Sequence, residues 1–448
     1  MKNMGRTGAW TLGAAGMLGL AAAGYAVARR RTTVSTLPQD TAADSTVNLL
    51  AEGYTFISSR CRRFTSDVFE TRLLFAHAIC TMGEEAARMF YVPERFTRRG
   101  AIPFTAVKLL QDHGSVQMLE GDAHRHRKDR FLSLTSPERS RELVALFESL
   151  WRAAVPAWSR ADRILLQHEV RQLLCRAVCA WAGVPLDERD VAQRTREFTA
   201  MIDNAGAIGP RNWLAIGQRA RTERWIRGVI EAVRRGTLEV PEACAASAWA
   251  SYRGPDGALL DANTAAVELI NVLRPTIAVA SYITFAALAL HRFPDTRRMI
   301  DAGSDEELHA FVQEVRRFYP FFPAVGGLVR QPFEWNGHRF AEGEWVLLDI
   351  HGTNHDARTW DIPDAFRPDR FRGREANAFA PVAQGGGDVR NGHRCPGEGI
   401  TLDLMKAGVR LLTRTMQYAV PPQNLHVDLS IMPALPSRFT IAHVRPIA

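Results

Sequence analysis

The stretch QGGGDVRNGHRCPGEGITLDLMKAGVRLL, residues 384–412, decides the fold of this chain. A glycine-rich loop leads to Cys395, and an amphipathic pattern typical of a helix follows it. Pro396 suits a first helical turn because it has no amide hydrogen to leave unpaired. Free amides and the dipole at a helix start favour a negative sulfur, so we expect a lowered pKa for the Cys395 thiol. Such a thiolate can attack an electrophile or ligate a soft or borderline metal; a purely structural cysteine is the alternative.

Two shorter motifs precede this loop. Glu314 and Arg317 lie three residues apart in a helical pattern, so they share a face and can pair. A solvated surface pair is the simpler interpretation. Ser304 followed by Glu307 indicates a capping box at the start of the same helix. The sequence FRPDRF then brings Arg370, which can complete a buried network with the pair.

Glu-x-x-Arg, Pro-Asp-Arg-Phe and Gly-His-Arg-Cys-Pro-Gly occur here in one order and at a specific spacing. With them the chain resembles the cytochrome P450 superfamily over about residues 40 to 445. The resemblance implies a mainly α fold with a small antiparallel β subdomain, and haem b (iron protoporphyrin IX) as the cofactor. It makes Cys395 the axial ligand of the haem iron. It also makes Glu314, Arg317 and Arg370 the network that holds the cysteine loop.

The same resemblance implies contacts to the haem propionates. His393 stands two residues before the cysteine, where the family usually places a propionate partner. The segment that begins at Gly121 resembles the helix that contacts propionates, and His124 and Lys128 are four residues apart on one face of it. A metal site made by His124 and His126 is the alternative, but it has no third ligand nearby in the sequence.

A long apolar helix, from about Thr264 to His291, indicates the branch of the superfamily. Its uninterrupted apolar stretch, Thr276–Leu290, is short and begins beside Arg274, which predicts a core helix rather than a membrane span. Oxygen-using members carry an Asp or Glu before a threonine at mid-helix, whereas Arg274 and Pro275 precede Thr276 here. This segment, the Gly-Gly-Gly loop and the stretch EVRRFYPFFP resemble the bacterial fatty-acid peroxygenase branch.

That branch implies hydroxylation of long-chain fatty acids at C2 or C3 with hydrogen peroxide, with side decarboxylation to a terminal alkene. Arg274, beside the helix-opening Pro275, would bind the substrate carboxylate, which then acts as the acid–base group that the helix lacks. Gln117 falls where the branch places a residue over the haem, and glutamine there favours the hydroxylated product. The alternatives are an NAD(P)H-dependent monooxygenase with reductase partners and a non-catalytic haem-binding protein. Arg274 could also pair with a structural acid, but Glu268 is a poor local partner on the helix.

The N-terminal region differs from the rest. Residues 1–31 form an apolar segment, residues 32–47 a polar linker, and residues 48–448 the catalytic domain. Residues 8–28 carry no charge and, at about 1.5 Å per residue, are long enough to cross a bilayer as a helix. We expect a single-span anchor with a cytoplasmic catalytic domain, because Arg29–Arg31 follow directly. A cleaved signal peptide ending at Ala26–Ala28, with export, and a peripheral tail are the alternatives.

Composition excludes other classes. The formal charge of +8 comes mostly from scattered arginines, which argues against a nucleic-acid surface. The six cysteines, at positions 61, 80, 175, 179, 244 and 395, show no zinc-site spacing and fit a reducing compartment. Residues 48–320 show mainly helical periodicity. Residues 328–350 alternate apolar and polar side chains around Asn336-Gly337, which predicts a β-hairpin with a type I′ turn.

Overall fold

The computed structural model of this chain describes residues 36–302, 304–374, 377–434 and 438–447. The predicted N-terminal apolar helix, residues 1–31, lies outside the described residues, as do the first residues of the linker. The division into segment, linker and domain therefore stays a prediction.

The elements are given in chain order. The first half contains α1 (Thr46–Glu52), α2 (Phe56–Phe64), β1 (Val68–Leu73), β2 (Ala76–Thr81), α3 (Glu84–Phe90), β3 (Phe96–Thr97), α4 (Phe104–Leu110), α5 (Gly121–Leu134), α6 (Pro137–Trp158), β4 (Arg163–Leu165), α7 (Leu166–Ala182), α8 (Val191–Asp203) and α9 (Pro210–Arg234). Next come α10 (Ala245–Ala250), α11 (Ala262–Arg292), α12 (Pro294–Ala302), α13 (Asp305–Phe318), β5 (Ala324–Val329), β6 (Phe333–Trp335), β7 (His338–Phe340), β8 (Trp345–Asp349), α14 (Ile350–Asn354), α15 (Glu398–Arg414), β9 (Met416–Ala419) and β10 (Thr440–Pro446). Short 3₁₀ turns cover Gly53–Thr55, Val116–Met118, Glu188–Asp190 and Pro368–Phe371.

Helix α11 is the centre of the core. It packs against α7, α8, α9, α10, α13 and α15, and nearly all of its side chains are buried. Within the part of the chain that the structure describes, it is the single helix long and apolar enough to cross a membrane, and 94% of its most apolar window is buried. An apolar helix surrounded on all sides by protein is a core helix, as the sequence predicts. Asp261 caps its first turn by accepting from the amides of Asn263 and Thr264.

The largest sheet has five strands in the order β1-β2-β8-β5-β3. Strands β2 and β8 run parallel and the other neighbours are antiparallel. The mainly helical prediction for residues 48–320 is wrong at Val68–Leu73 and Ala76–Thr81. Both strands are buried on nearly every residue, so they lack the alternation by which a half-buried strand is recognised.

Two smaller sheets complete the β structure. One has the order β4-β10-β9, and the other is the hairpin of β6 and β7. In the hairpin turn Asn336 has φ 50° and Gly337 has φ 71°, the positive pair that a type I′ turn requires. The predicted hairpin is confirmed.

The predicted capping box on α13 is wrong. Ser304 is the N-cap residue, but its side chain makes no capping hydrogen bond. Glu307, the other half of the box, instead accepts from Arg372 at 3.0 Å. Arg372, from a distant segment, therefore binds the carboxylate that the capping box would have used.

Candidate active site

The cysteine loop is shaped by close backbone packing. The amide of Cys395 donates to the carbonyl of Gln384 at 3.0 Å, which closes the loop. Gly385 and Gly387 have positive φ values of 94° and 77°. At Gly386 an added Cβ would lie 2.9 Å from the ring of Tyr91. Glycine is therefore required at this approach, and the loop can deliver the cysteine without bulky side chains around it.

The expected electrostatics of the thiol need two corrections. Helix α15 begins at Glu398 with Gly397 as its N-cap, so Cys395 precedes the helix instead of opening it, and Pro396 is not in its first turn. Burial raises the pKa of the Cys395 thiol, and this outweighs the hydrogen bond from the Gly397 amide and the charge of Lys128. The expected lowering is wrong for the free thiol, whereas a coordinated metal cation deprotonates a thiol outright.

The predicted propionate contacts meet beside this loop. Lys128 Nζ donates to the carbonyl oxygens of Gly392 and Arg394, and burial lowers the pKa of Lys128 to about 8. The rings of His124 and His393 lie 4.6 Å apart. Burial, together with the neighbouring His393, lowers the pKa of His124 to about 3, so His124 is neutral at pH 7.

These histidines line a cleft beside the cysteine loop. Buried Arg98 lines it as well and donates to the carbonyl of Gly326 at 2.8 Å. Sequence patterns did not single out Arg98, which lies in a short connection without a motif. His126 is elsewhere: its Nδ1 lies 2.7 Å from the hydroxyl of Tyr252, so it does not join His124 in a metal site. The propionate roles stay predictions.

The structure brings Glu314, Arg317 and Arg370 together. Arg317 donates to both carboxylate oxygens of Glu314 at 2.7 Å, and Arg370 Nε lies 3.3 Å from the same carboxylate. The side chains of Glu314 and Arg317 are 0% exposed, which excludes a solvated surface pair. Arg317 also donates to the carbonyl of Asn354, whose amide oxygen accepts from the backbone of Val382. The network therefore reaches the segment that leads into the cysteine loop.

A second ionic cluster near the loop has no counterpart in the sequence predictions. Buried Arg316 donates to Glu398 at 2.6 Å, and Glu398 also accepts from Arg394, the residue before the cysteine, at 2.7 Å. This cluster ties α13 to the start of α15. The partners Arg316 and Glu398 are 82 residues apart, so local spacing carries no signal of the pair.

Arg274 lies in the middle of α11, directly before Pro275, and is buried. Its Nη2 donates to the carbonyl of Leu110 at 2.6 Å, while its Nε is buried without a hydrogen-bond partner. Burial lowers its pKa to about 9, which leaves it cationic at pH 7. Among the described residues no carboxylate lies within 4.0 Å of its guanidinium group.

Glu268 does not pair with Arg274. It binds instead the backbone amide of Val116, the guanidinium of Arg127 and the side chain of Asn271. Gln117, the residue after Val116, has a buried amide oxygen without a partner in the described ranges. The structure thus places Arg274 and Gln117 on segments that contact each other, and each keeps an unsatisfied buried polar atom.

The residues present fit the haem that the resemblance implies. Cys395 offers a thiol, and the charge of its sulfur acts on buried Arg274, whose pKa it raises against the larger lowering by burial. The Nε of Arg274 and the amide oxygen of Gln117 are buried without a protein partner, so both are available to a polar ligand. Arg98 and the two neighbouring histidines offer donors at the edge, as propionates need. The donor set is therefore that of a thiolate-ligated, anionic cofactor.

Comparisons with known proteins agree. The family model described as "Cytochrome P450" matches residues 306–426. The solved structure of cytochrome P450SP alpha in complex with (R)-ibuprophen is 46% identical, has a TM-score of 0.88, and the match covers 90% of this chain and 99% of that chain. Cytochrome P450EX alpha with myristic acid is 39% identical with a TM-score of 0.89, covering 92% and 100%. A variant of cytochrome P450 OleT in complex with arachidonic acid is 32% identical with a TM-score of 0.90, covering 92% and 99%.

These similarities extend over nearly the whole described chain, well beyond the cysteine motif. They confirm the mainly α fold with small β-sheets, which is the cytochrome P450 fold. They also confirm that the protein is an oxidoreductase and that its cofactor is haem b. The chain therefore belongs to the cytochrome P450 superfamily, in its fatty-acid peroxygenase branch.

Proposed function

We propose that this enzyme hydroxylates long-chain fatty acids at C2 or C3 with hydrogen peroxide. In the reaction one C–H bond of the fatty acid becomes C–OH, the O–O bond of the peroxide breaks, and its second oxygen leaves as water. Haem b, held by Cys395, supplies the redox chemistry of peroxide activation and oxygen transfer. The protein has to bind the acid, place its first carbons, and keep a proton carrier near the peroxide.

The unpaired burial of Arg274 carries this proposal. A buried cation without a counter-ion is costly, and an anion that enters beside it recovers much of this cost. The planar guanidinium matches a carboxylate in a bidentate, charge-assisted geometry. Because Nη2 already donates to Leu110, the free Nε is a donor still available to a ligand. A fatty acid held there by its carboxylate would present C2 and C3 first.

The bound carboxylate also supplies the acid–base group. Heterolysis of peroxide needs a proton to move between its two oxygens, and a carboxylate near the reacting atoms can carry it. The one carboxylate of α11 and the hydroxyl directly after Pro275 are both engaged: Thr276 donates its hydroxyl to the carbonyl of Val272, and Glu268 is held by Arg127 and Val116. Substrate-assisted proton transfer follows from this shortage.

Two further observations support the proposal. The ligands named with the three similar structures, ibuprofen, myristic acid and arachidonic acid, are all carboxylic acids. Gln117 offers an amide, which cannot exchange a proton as an imidazole can, and this favours the hydroxy acid over decarboxylation to the alkene. The contacts of His124, Lys128 and His393 with haem propionates belong to the same proposal.

The test uses purified haem-loaded enzyme, fatty acids of several chain lengths and hydrogen peroxide, without reductase. We expect C2- and C3-hydroxylated acids. The Arg274→Gln variant should lose at least about a hundredfold in turnover, because it removes charge-assisted hydrogen bonds. It should keep the haem and the thiolate signature of the reduced carbon-monoxide complex. Arg176→Gln, which removes an arginine from an exposed ion pair with Glu188, is the matched control.

Each outcome has a clear meaning. Full activity of Arg274→Gln would refute the carboxylate contact. Absence of turnover with peroxide, together with turnover when NAD(P)H and reductase partners are supplied, would refute the peroxygenase reaction in favour of a monooxygenase. Absence of turnover under both conditions would leave a haem-binding protein without this catalysis.

A further inference from the structure

Residues 110–117 run from the last residue of α4 into the 3₁₀ turn before α5 and are held against α11 by side chains of that helix. We refer to this segment as the distal strap. Arg274 donates to the carbonyl of Leu110 at 2.6 Å. Asn271 donates to the carbonyl of Gln111 at 3.4 Å. Glu268 accepts from the backbone amide of Val116 at 2.7 Å. Three side chains on three successive turns of α11 thus bind three points along the strap.

Glu268 is the most connected of these side chains. It is 0% exposed and accepts from Arg127 Nη1 at 3.2 Å and from Asn271 Nδ2 at 3.1 Å, besides Val116. Arg127, on α5, also donates to the carbonyl of Gly114 within the strap. One carboxyl group therefore joins α11, α5 and the strap, and its removal leaves buried donors of Val116 and Arg127 without this acceptor, which is destabilising locally.

The strap has little freedom to shift. Gly114 has φ 77°, and a Cβ added there would lie 3.3 Å from the hydroxyl of Thr264 on α11. The strap backbone therefore lies directly on the helix. Gln117 follows Val116 in the 3₁₀ turn at the end of the strap, so the hydrogen bond at Val116 sets where this turn begins.

We infer that Glu268 is a positioning residue that determines which carbon of the fatty acid is oxidised, by holding Gln117 at a set distance from Arg274. The inference rests on the proposed function of Arg274 and Gln117. Arg274 sets the position of the carboxylate, and Gln117 borders the carbons that follow. The positions of both residues are fixed relative to one rigid helix, α11. Arg274 belongs to this helix, and Gln117 is held to it through Glu268. A displacement of a reacting group by about 1 Å is enough to change reactivity strongly. A strap that moves relative to α11 would therefore change which of two neighbouring carbons is oxidised.

The first measurement is hydrogen exchange of the peptide that contains residues 110–118, followed by mass spectrometry. Glu268→Ala should accelerate its exchange at least about tenfold, because the Val116 amide loses its acceptor and Arg127 loses its carboxyl partner. Glu268→Gln should stay close to the unmodified enzyme. It keeps an oxygen for Val116, and Asn271, whose Nδ2 donates to Glu268 in the unmodified enzyme, can turn its partnerless Oδ1 towards the new amide and give up only the long 3.4 Å bond to Gln111.

The second measurement is the ratio of C2 to C3 products, together with the spectral change on fatty-acid binding. Glu268→Ala should change the ratio severalfold and leave the fatty-acid-induced spectral change intact, because Arg274 remains. Glu268→Gln should restore the original ratio. Glu197→Gln is the matched control: it neutralises another buried carboxylate, paired with Arg194 on α8, and should change neither measurement.

Unchanged exchange in Glu268→Ala overturns the inference, and so does faster exchange with an unchanged product ratio. If Glu268→Ala does not accumulate as folded protein, Glu268→Asp replaces it. The side chain is one methylene shorter and cannot reach all three partners, so the same two changes are expected. If the enzyme does not use peroxide, the proposed function fails, while the exchange data still test the strap and the product ratio is measured with reductase.

Discussion

At the scale of single residues, Asp349 shows how the fold tolerates an ionisable group in its core. It ends β8, caps α14 through a 2.6 Å bond from the Gly352 amide, and leaves its other oxygen buried without a partner. Burial raises its pKa from 3.8 to about 7. Between about pH 4 and 7 the unfolded chain has lost this proton and the folded chain keeps it, so this group lowers stability as the pH rises.

Asp349→Asn should remove this dependence, because the amide keeps the capping oxygen and cannot ionise. The free energy of unfolding in urea, measured at several pH values from 4.5 to 7.5, should rise relative to the unmodified enzyme by roughly 1.4 kcal/mol per unit of pKa difference. Asp261→Asn is the control. Burial opposes the lowering of its pKa, but hydrogen bonds from Thr264 and Asn263 prevail, so its effect appears as the pH falls below about 4. Curves that stay parallel for Asp349→Asn contradict the argument.

At the scale of elements, α13 contributes residues to two neighbouring ionic networks. Glu314 and Arg317 face the segment with Arg370, while Arg316 faces Glu398 at the start of α15. Consecutive arginines on a helix point about 100° apart, so one helix can reach both partners. Helix α13 thereby stabilises the cysteine loop at both ends of the loop, at the segment that leads into it and at the start of α15.

Glu314→Ala should therefore cost about 3–5 kcal/mol, because two arginines lose the buried carboxylate that pairs with them. The measurements are the unfolding free energy, haem retention, and the thiolate signature of the reduced carbon-monoxide complex, all of which should decrease. Glu307→Ala removes a carboxylate of the same helix from a surface pair with Arg372 and should cost less than about 1 kcal/mol. Equal effects of the two substitutions would show that the buried network has no special role.

The elements also show what sequence can predict. Helix α11 and the β6–β7 hairpin were predicted because their signals are local: an unbroken apolar run and an Asn-Gly turn. Strands β1 and β2 were missed because full burial removes alternation. Cys395 and Pro396 were expected at the start of α15 but precede it, since nothing in a glycine-rich loop marks where the helical hydrogen bonds begin.

At the scale of the whole molecule, the site depends on contacts between distant parts of the chain. The motifs around Cys395 and Glu314 identified the family, because residue types and spacing are part of the sequence. The partners of Lys128 and Glu268 were not predicted: Lys128 binds a carbonyl 264 residues away, and Glu268 binds an amide 152 residues away. Such pairs follow from tertiary packing, which neither periodicity nor local spacing encodes.

Where the whole molecule lies in the cell depends on the N-terminal apolar segment. We propose that residues 8–28 anchor it in a membrane with the catalytic domain in the cytoplasm. The segment is uncharged, long enough to span, and followed by three arginines that favour the cytoplasmic side. The full chain should remain in the membrane fraction through salt and carbonate washes, and a chain that lacks residues 2–35 should be recovered in the soluble fraction with its haem.

A control variant separates anchoring by the span from adhesion of the folded domain. Leu18→Lys combined with Leu20→Lys leaves the domain intact but places two charges in the middle of the apolar run, each costing about 3 kcal/mol in a bilayer. This variant should behave like the shortened chain. Retention of the double variant in the membrane would show that another surface binds lipid. An intact mass that starts after Ala28 would show instead that the segment is a cleaved signal peptide, and export would replace the cytoplasmic location.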